Sequence, residues 1–166
     1  IGNGRIISAK GTILKNEETG NFAINNITMQ MTGSSAIDET IENKGMLEVT
    51  GGVIISDGLK NKCINNIEQG TVKITGGTVS APEWYNSIIN RGTLEISGGT
   101  IKSSEKGIYN NSILKMTGGT VEVQESKSYN YAALECGGGT ATIEGGTIKY
   151  NNIGNTSYNT AAIRIT

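Results

Sequence analysis

Residues Leu94–Ser103 read LEISGGTIKS, and the chain writes nearly the same phrase as VKITGGTVSA from Val72 and LKMTGGTVEV from Leu114. Before each glycine pair, apolar and polar residues alternate, as in Leu47-Glu48-Val49-Thr50 and Val72-Lys73-Ile74-Thr75. After it they alternate again, as in Thr78-Val79-Ser80 and Thr100-Ile101-Lys102. A period of two, β-branched residues and frequent glycine define strands, and no window carries a helical stripe. The double glycine is then a bend between two short strands, placed where a side chain would obstruct or the backbone needs a positive φ.

The second glycine of each pair marks the phase at Gly52, Gly77, Gly99, Gly119 and Gly146, with degenerate equivalents at Gly11 and Ser34. The spacings are 23, 18, 25, 22, 20 and 27 residues. Self-similarity at this period predicts a solenoid, in which each repeat buries its apolar face against its neighbours. The expected fold is all-β: a right-handed parallel β-helix of about seven coils of 18–27 residues, forming one domain over residues 1–166. Leu47, Val72, Leu94 and Leu114 then stack inside, as do Val49, Ile74, Ile96, Met116 and Ile143, and Ile54, Val79, Ile101, Val121 and Ile148. Outside, Glu48, Lys73, Glu95 and Lys115 form a column of alternating sign, and Lys102, Glu122 and Lys149 form another. Neighbouring parallel strands lie ~4.8 Å apart, so such columns favour one register. A third arc repeats Ile41, Ile64, Ile88 and Ile108, each with Asn two residues later, and the recurring Asn reads as turn chemistry at a corner.

Composition agrees with a narrow core. The 166 residues include 24 Gly, one Pro, one Phe, one Trp and no His, and 36% are hydrophobic. The formal charge is −1 with no run of like charges, so no basic footprint for nucleic acid is present. No apolar stretch reaches the ~18 residues that span a bilayer as a helix, so no membrane insertion is expected. Ile1 is not a natural start, which reads as a chain cut from something longer. Ile163-Arg164-Ile165-Thr166 matches Leu94-Glu95-Ile96-Ser97 and stops where Gly-Gly should follow, the expectation for a fragment of a longer solenoid. Cys63 and Cys136 fall three coils apart, ~14 Å along the axis, too far for the ~7 Å Cα separation of a disulfide.

The motif G-x-L-x-I-[ST]-G-G-T-[IV] with an Asn corner resembles the right-handed parallel β-helices of the pectin-lyase-like superfamily, closest to repeat regions of cell-surface and adhesin-type proteins of Gram-positive bacteria. The resemblance runs over the whole chain and is strongest from Ile41 to Lys149. It implies an extracellular module at the bacterial cell surface. It also raises a carbohydrate-active enzyme, because lyases and hydrolases on this fold cluster Asp with Arg, Lys or calcium on adjacent coils. Here Asp38 and Asp57 are the two Asp and lie on separate loops, while Arg5, Arg91 and Arg164 fall in different coils. Acid–base work needs paired carboxylates, so no catalytic residue is assigned. Calcium-binding rolls need Asp after the glycines, and this chain has Thr-Val or Thr-Ile, so neither metal nor cofactor is expected. The Thr column Thr78, Thr100, Thr120 and Thr147 resembles an ice-binding array, but ordinary strand propensity explains it better.

Length varies on the arc that follows each strand–Gly-Gly–strand unit. These arcs carry SAPEWYNS, EVQESKSYNYAA and KYNNIGNTSYNTAA. Trp84, Tyr85, Tyr129, Tyr131, Tyr150 and Tyr158 are the candidate ligand-binding residues, because variable loops on a rigid scaffold carry binding groups and aromatic faces stack on sugars or anchor proteins. The alternative is that they cover solenoid edges and pin the longer loops. The function expected is a non-catalytic, adhesin-like module contacting a glycan or a host surface protein. A non-catalytic part of a polysaccharide lyase or glycoside hydrolase is the alternative.

Overall fold

The computed structural model describes residues 4–33, 39–58, 62–82, 86–124, 132–151 and 161–166, and all their regular elements are β-strands. Three parallel sheets result. Sheet A stacks β1 (Gly4–Ser8), β4 (Ile27–Met31), β7 (Val53–Ser56), β10 (Thr78–Ala81), β13 (Thr100–Ser103), β16 (Thr120–Gln124) and β19 (Thr147–Asn151). Sheet B stacks β2 (Leu14–Asn16), β5 (Glu39–Asn43), β8 (Lys62–Asn66), β11 (Asn86–Asn90), β14 (Lys106–Asn110), β17 (Ala132–Cys136) and β20 (Ala161–Ile165). Sheet C stacks β3 (Asn21–Ile24), β6 (Met46–Val49), β9 (Thr71–Ile74), β12 (Thr93–Ile96), β15 (Ile113–Met116) and β18 (Thr140–Ile143). The chain visits A, B and C in turn, so each strand pairs in parallel with the one three earlier. This is a right-handed-type parallel β-solenoid. Twenty strands at three a circuit make six circuits and two further strands, slightly short of seven coils.

Register confirms the expected columns. Leu47, Val72, Leu94 and Leu114 align across sheet C, with Glu48, Lys73, Glu95 and Lys115 beside them. The aligned leucines and valine are at most 1% exposed, each burial stabilising the fold by ~1.5–3 kcal/mol. Ile143 is the exception, 41% exposed on β18, the edge strand of its sheet.

The phase is corrected in the first coils. Ile6, Met29, Ile54, Val79, Ile101, Val121 and Ile148 align across sheet A, so coils measure 23, 25, 25, 22, 20 and 27 residues, a range of 20–27 rather than 18–27. Gly11 falls between β1 and β2, in an A-to-B connection and not at the glycine corner, and Ser34 lies outside the described residues. The first C-to-A corner is Asn25-Asn26, where Asn26 takes a φ of 55°. Thr32-Gly33-Ser34 imitates the glycine phrase, but Asn can also adopt the left-handed conformation.

The two glycines are needed for different reasons. A methyl group on Gly98 would overlap the carbonyl oxygen of Thr75 in the preceding coil. Gly99 turns the chain with a φ of 75°, which L side chains rarely adopt.

The Asn reading is also corrected. Asn43, Asn66, Asn90 and Asn110 are fully buried, none has a positive φ, and they point into the solenoid. From Asn16 onward Nδ2 donates to the Oδ1 of the next: Asn16 to Asn43 at 2.7 Å, Asn43 to Asn66 at 2.8 Å, Asn66 to Asn90 at 2.8 Å and Asn90 to Asn110 at 2.7 Å, while Asn110 donates to the Ser112 and Thr140 carbonyls. The remaining amide capacity goes to backbone carbonyls at the B-to-C corner, such as Gly70 and Thr93 for Asn66. An interior amide stack satisfies polar groups that a dry core would otherwise strand. Cys136 takes the next position in this column.

Candidate functional site

The three corners of the solenoid differ in freedom. C-to-A connections are two or three residues long and B-to-C connections two to four, whereas A-to-B connections run from two (104–105) to nine (152–160). All length variation of consequence therefore leaves one edge of the prism, at the ends of aligned strands.

A second feature marks that edge. In three successive coils a small side chain early in the sheet B strand donates to a sheet A carbonyl ahead of it. Thr40 Oγ1 donates to the Ile55 carbonyl at 3.1 Å, Cys63 Sγ to that of Ser80 at 3.0 Å, and Ser87 Oγ to that of Lys102. In the next two coils Gly107 and Ala133 stand in this position and carry no donor. The donor is missing in the coil that leads into the 125–131 connection.

Of the aromatic candidates, Trp84, Tyr85, Tyr129, Tyr131 and Tyr158 lie outside the described residues. Tyr150 ends β19's inward-facing row, aligned with Val123 and packed half-buried against the core. Its hydroxyl is buried and makes no hydrogen bond.

Sequence reasoning missed a mixed cluster on the outer face of sheet B. Tyr109, Glu135 and Arg164 align on neighbouring coils. The Lys106 ammonium lies 5.2 Å from the Tyr109 ring centre and 3.1 Å from Glu135 Oε1, with Arg164 Nη1 3.8 Å from Glu135 Oε2. Glu135 is 8% exposed, and its Oε2 makes no hydrogen bond. The signal was available, since each of the three follows an inward residue of one column: Ile108, Leu134 and Ile163. An aromatic face beside two cations offers stacking and donors to a polar ligand, with the buried Glu135 carboxylate holding the cations in place.

On sheet A, Glu122 sits between Lys149 at 2.8 Å and Lys102 at 3.4 Å. Hydrogen bonding from Lys149, with Lys102 adding to it, holds its carboxyl below the usual range against the opposing effect of burial. Burial pushes the Cys63 thiol up to about 12, leaving it a core group rather than a nucleophile. Among the described residues no three His, Cys, Asp or Glu side chains gather as metal ligands, and no helix is long and apolar enough to cross a membrane.

No family model, curated protein or solved structure matches the chain. The geometry itself defines the class of molecule, a parallel β-solenoid repeat protein.

Proposed function

We propose that the chain is a non-catalytic structural and binding module of an extracellular bacterial surface protein, adhesin-like, that displays side connections for contact with carbohydrate or a host protein. Kinship with the pectin-lyase-like β-helices, and within them with Gram-positive surface repeats, belongs to this reading and draws support from the glycine motif and the parallel sheets. The observation that carries it is the restriction of length variation to the A-to-B edge. Binding groups concentrate on connections positioned by a rigid scaffold, and Trp84 and Tyr129 fall in two of these segments. The stack is stiff because every strand has a paired neighbour and the Asn column ties coil to coil, so the edge is held in fixed geometry.

The test is retention of the chain on arrays of glycans and extracellular host proteins. Trp84→Ala is expected to reduce retention at least about tenfold, the scale of an aromatic anchor, with an unchanged melting curve. Equal retention by the variant and the parent would remove the binding half of the proposal. Release of sugars from acidic or neutral polysaccharides by the chain would replace the proposal with the enzyme reading.

A further inference from the structure

Sheet C has an outer face that no long connection borders, because both of its corners are short. Its side chains form columns along the solenoid axis. One column runs Ala23, Glu48, Lys73, Glu95, Lys115 and Thr142, its four charges alternating in sign. The column beside it runs Asn21, half-buried Met46, Thr71, Thr93, Ile113, which is 55% exposed, and Thr140.

Both columns have a symmetry that a single chain does not use. Read in reverse, the four charges change sign at every position, and the other column keeps its pattern: polar, apolar, Thr, Thr, apolar, polar. We propose that the outer face of sheet C is the contact surface of a homodimer, two copies packing face to face with their solenoid axes antiparallel. The two-fold axis runs along the strand direction between β9 and β12, the centre of the six-stranded sheet. Rotation about it sets Glu48 against the partner's Lys115 and Lys73 against the partner's Glu95. The same rotation sets Met46 against the partner's Ile113, and Thr71 against the partner's Thr93. A two-fold interface requires such self-complementarity.

Charge also selects the orientation. A two-fold along the solenoid axis would place Glu48 on the partner's Glu48 and Lys73 on the partner's Lys73, and like charges in juxtaposition are penalised. Within one chain, Lys73 and Glu95 already pair at 3.2 Å, so the dimer builds a four-charge box about its axis rather than exposing a bare charge. A shallow depression of about 310 Å³ lies beside the axis, over β12 and toward the C-to-A corner, lined by Lys73, Glu95, Lys115, Ile96 and the hydroxyl side chains of Thr75, Ser97 and Thr117.

Size sets the strength. Six strands at ~4.8 Å and four residues at ~3.3 Å give a face of about 380 Å², or about 760 Å² buried in total. That falls below the ~1,200 Å² at which stable interfaces begin, so the dimer is weak and reversible. The A-to-B edge lies opposite sheet C in the three-sided coil, so dimerisation leaves the proposed binding edge of each copy free.

The test is sedimentation velocity of the chain over a concentration series at low salt. The chain is expected to show a monomer–dimer equilibrium below about 1 mM. Lys73→Glu and Glu95→Lys are each expected to weaken it at least about tenfold, because each puts two like-charge contacts at the axis. An equimolar mixture of the two variants is expected to dimerise again, close to the unsubstituted chain, because introduced carboxylate then meets introduced ammonium across the interface. Mixing does not repair damage inside one chain, so recovery reports the contact between copies alone. A chain that stays monomeric to 1 mM, single variants that dimerise undiminished, or a mixture no tighter than the separate variants would each overturn the proposal.

Discussion

Replacing Asn66 by Ala removes one rung of the interior amide column, and the cost follows from what is left behind. Asn66 Nδ2 donates to Asn90 Oδ1 at 2.8 Å, to the Gly70 carbonyl at 3.1 Å and to the Thr93 carbonyl at 3.0 Å, while Asn66 Oδ1 accepts from Asn43 Nδ2 at 2.8 Å. After substitution, Asn43 keeps the Gly45 and Thr71 carbonyls, and Gly70 keeps the Thr93 amide at 2.9 Å. Asn90 Oδ1 loses its donor in a fully buried site. An orphaned buried acceptor costs ~1–3 kcal/mol and each net hydrogen bond ~0.5–1.5 kcal/mol. With the space vacated by the amide, the loss comes to about 3–5 kcal/mol. For a chain of this length that lowers the melting temperature by about 6–20 °C. Asn65→Ala is the control: its neighbour in sequence faces outward, bonds to Arg91 at 3.0 Å, and is expected to cost less than ~1 kcal/mol. Urea and thermal melts of the two variants measure the difference. Equal and small losses at both positions would refute the interior column and return Asn66 to turn chemistry.

Three further outcomes are expected. Gly98→Ala is expected to cost more than ~3 kcal/mol in urea melts, because the new methyl meets backbone, whereas Gly138→Ala is expected to be neutral or stabilising by up to ~1 kcal/mol, because its nearest atom is 3.8 Å away. A Gly98→Ala variant as stable as the parent would remove the steric account of the first glycine. Glu122 has a lowered pKa when folded, so its stabilisation is present above its ordinary value of 4.5 and is lost as pH falls through the folded value. The stability gap between the chain and Glu122→Gln is therefore expected to be full at about pH 7 and to narrow as pH falls below 4.5, as followed by urea melts across that range; a gap that does not change with pH would contradict the pairing.

The middle of the fold is legible because three independent patterns agree there. Leu94 and Ile96 alternate with Glu95, the glycines recur, and charge alternates from coil to coil. The first coils are harder to read because Asn26 does by its own left-handed backbone what a glycine does later, and Thr32-Gly33-Ser34 offers a false match. The inward Asn column could have been read: Asn two residues after an inward Ile lies on the same face of a strand. Turn propensity competed with that geometric rule, and geometry won. The Lys106–Tyr109–Glu135–Arg164 cluster had a signal in the inward Ile108, Leu134 and Ile163. But Ile163-Arg164-Ile165 imitates Leu94-Glu95-Ile96 of sheet C, whereas β20 lies in sheet B beside β17, so the sequence match misplaced Arg164. Of the six aromatic candidates only Tyr150 falls among the described residues, and its inward placement follows from alignment with Val123 rather than from composition.

The central claim, coils stacked in this register, is tested most directly by spin-label distances along the outer face of sheet A. Thr28 lies four strands from Thr120 and five from Thr147 in one aligned column. With labels at Thr28 and Thr120 the expected backbone separation is ~19 Å, and moving the second label to Thr147 is expected to add one rise of ~4.8 Å. Broad distributions, or separations beyond ~35 Å for either pair, would contradict a stacked solenoid.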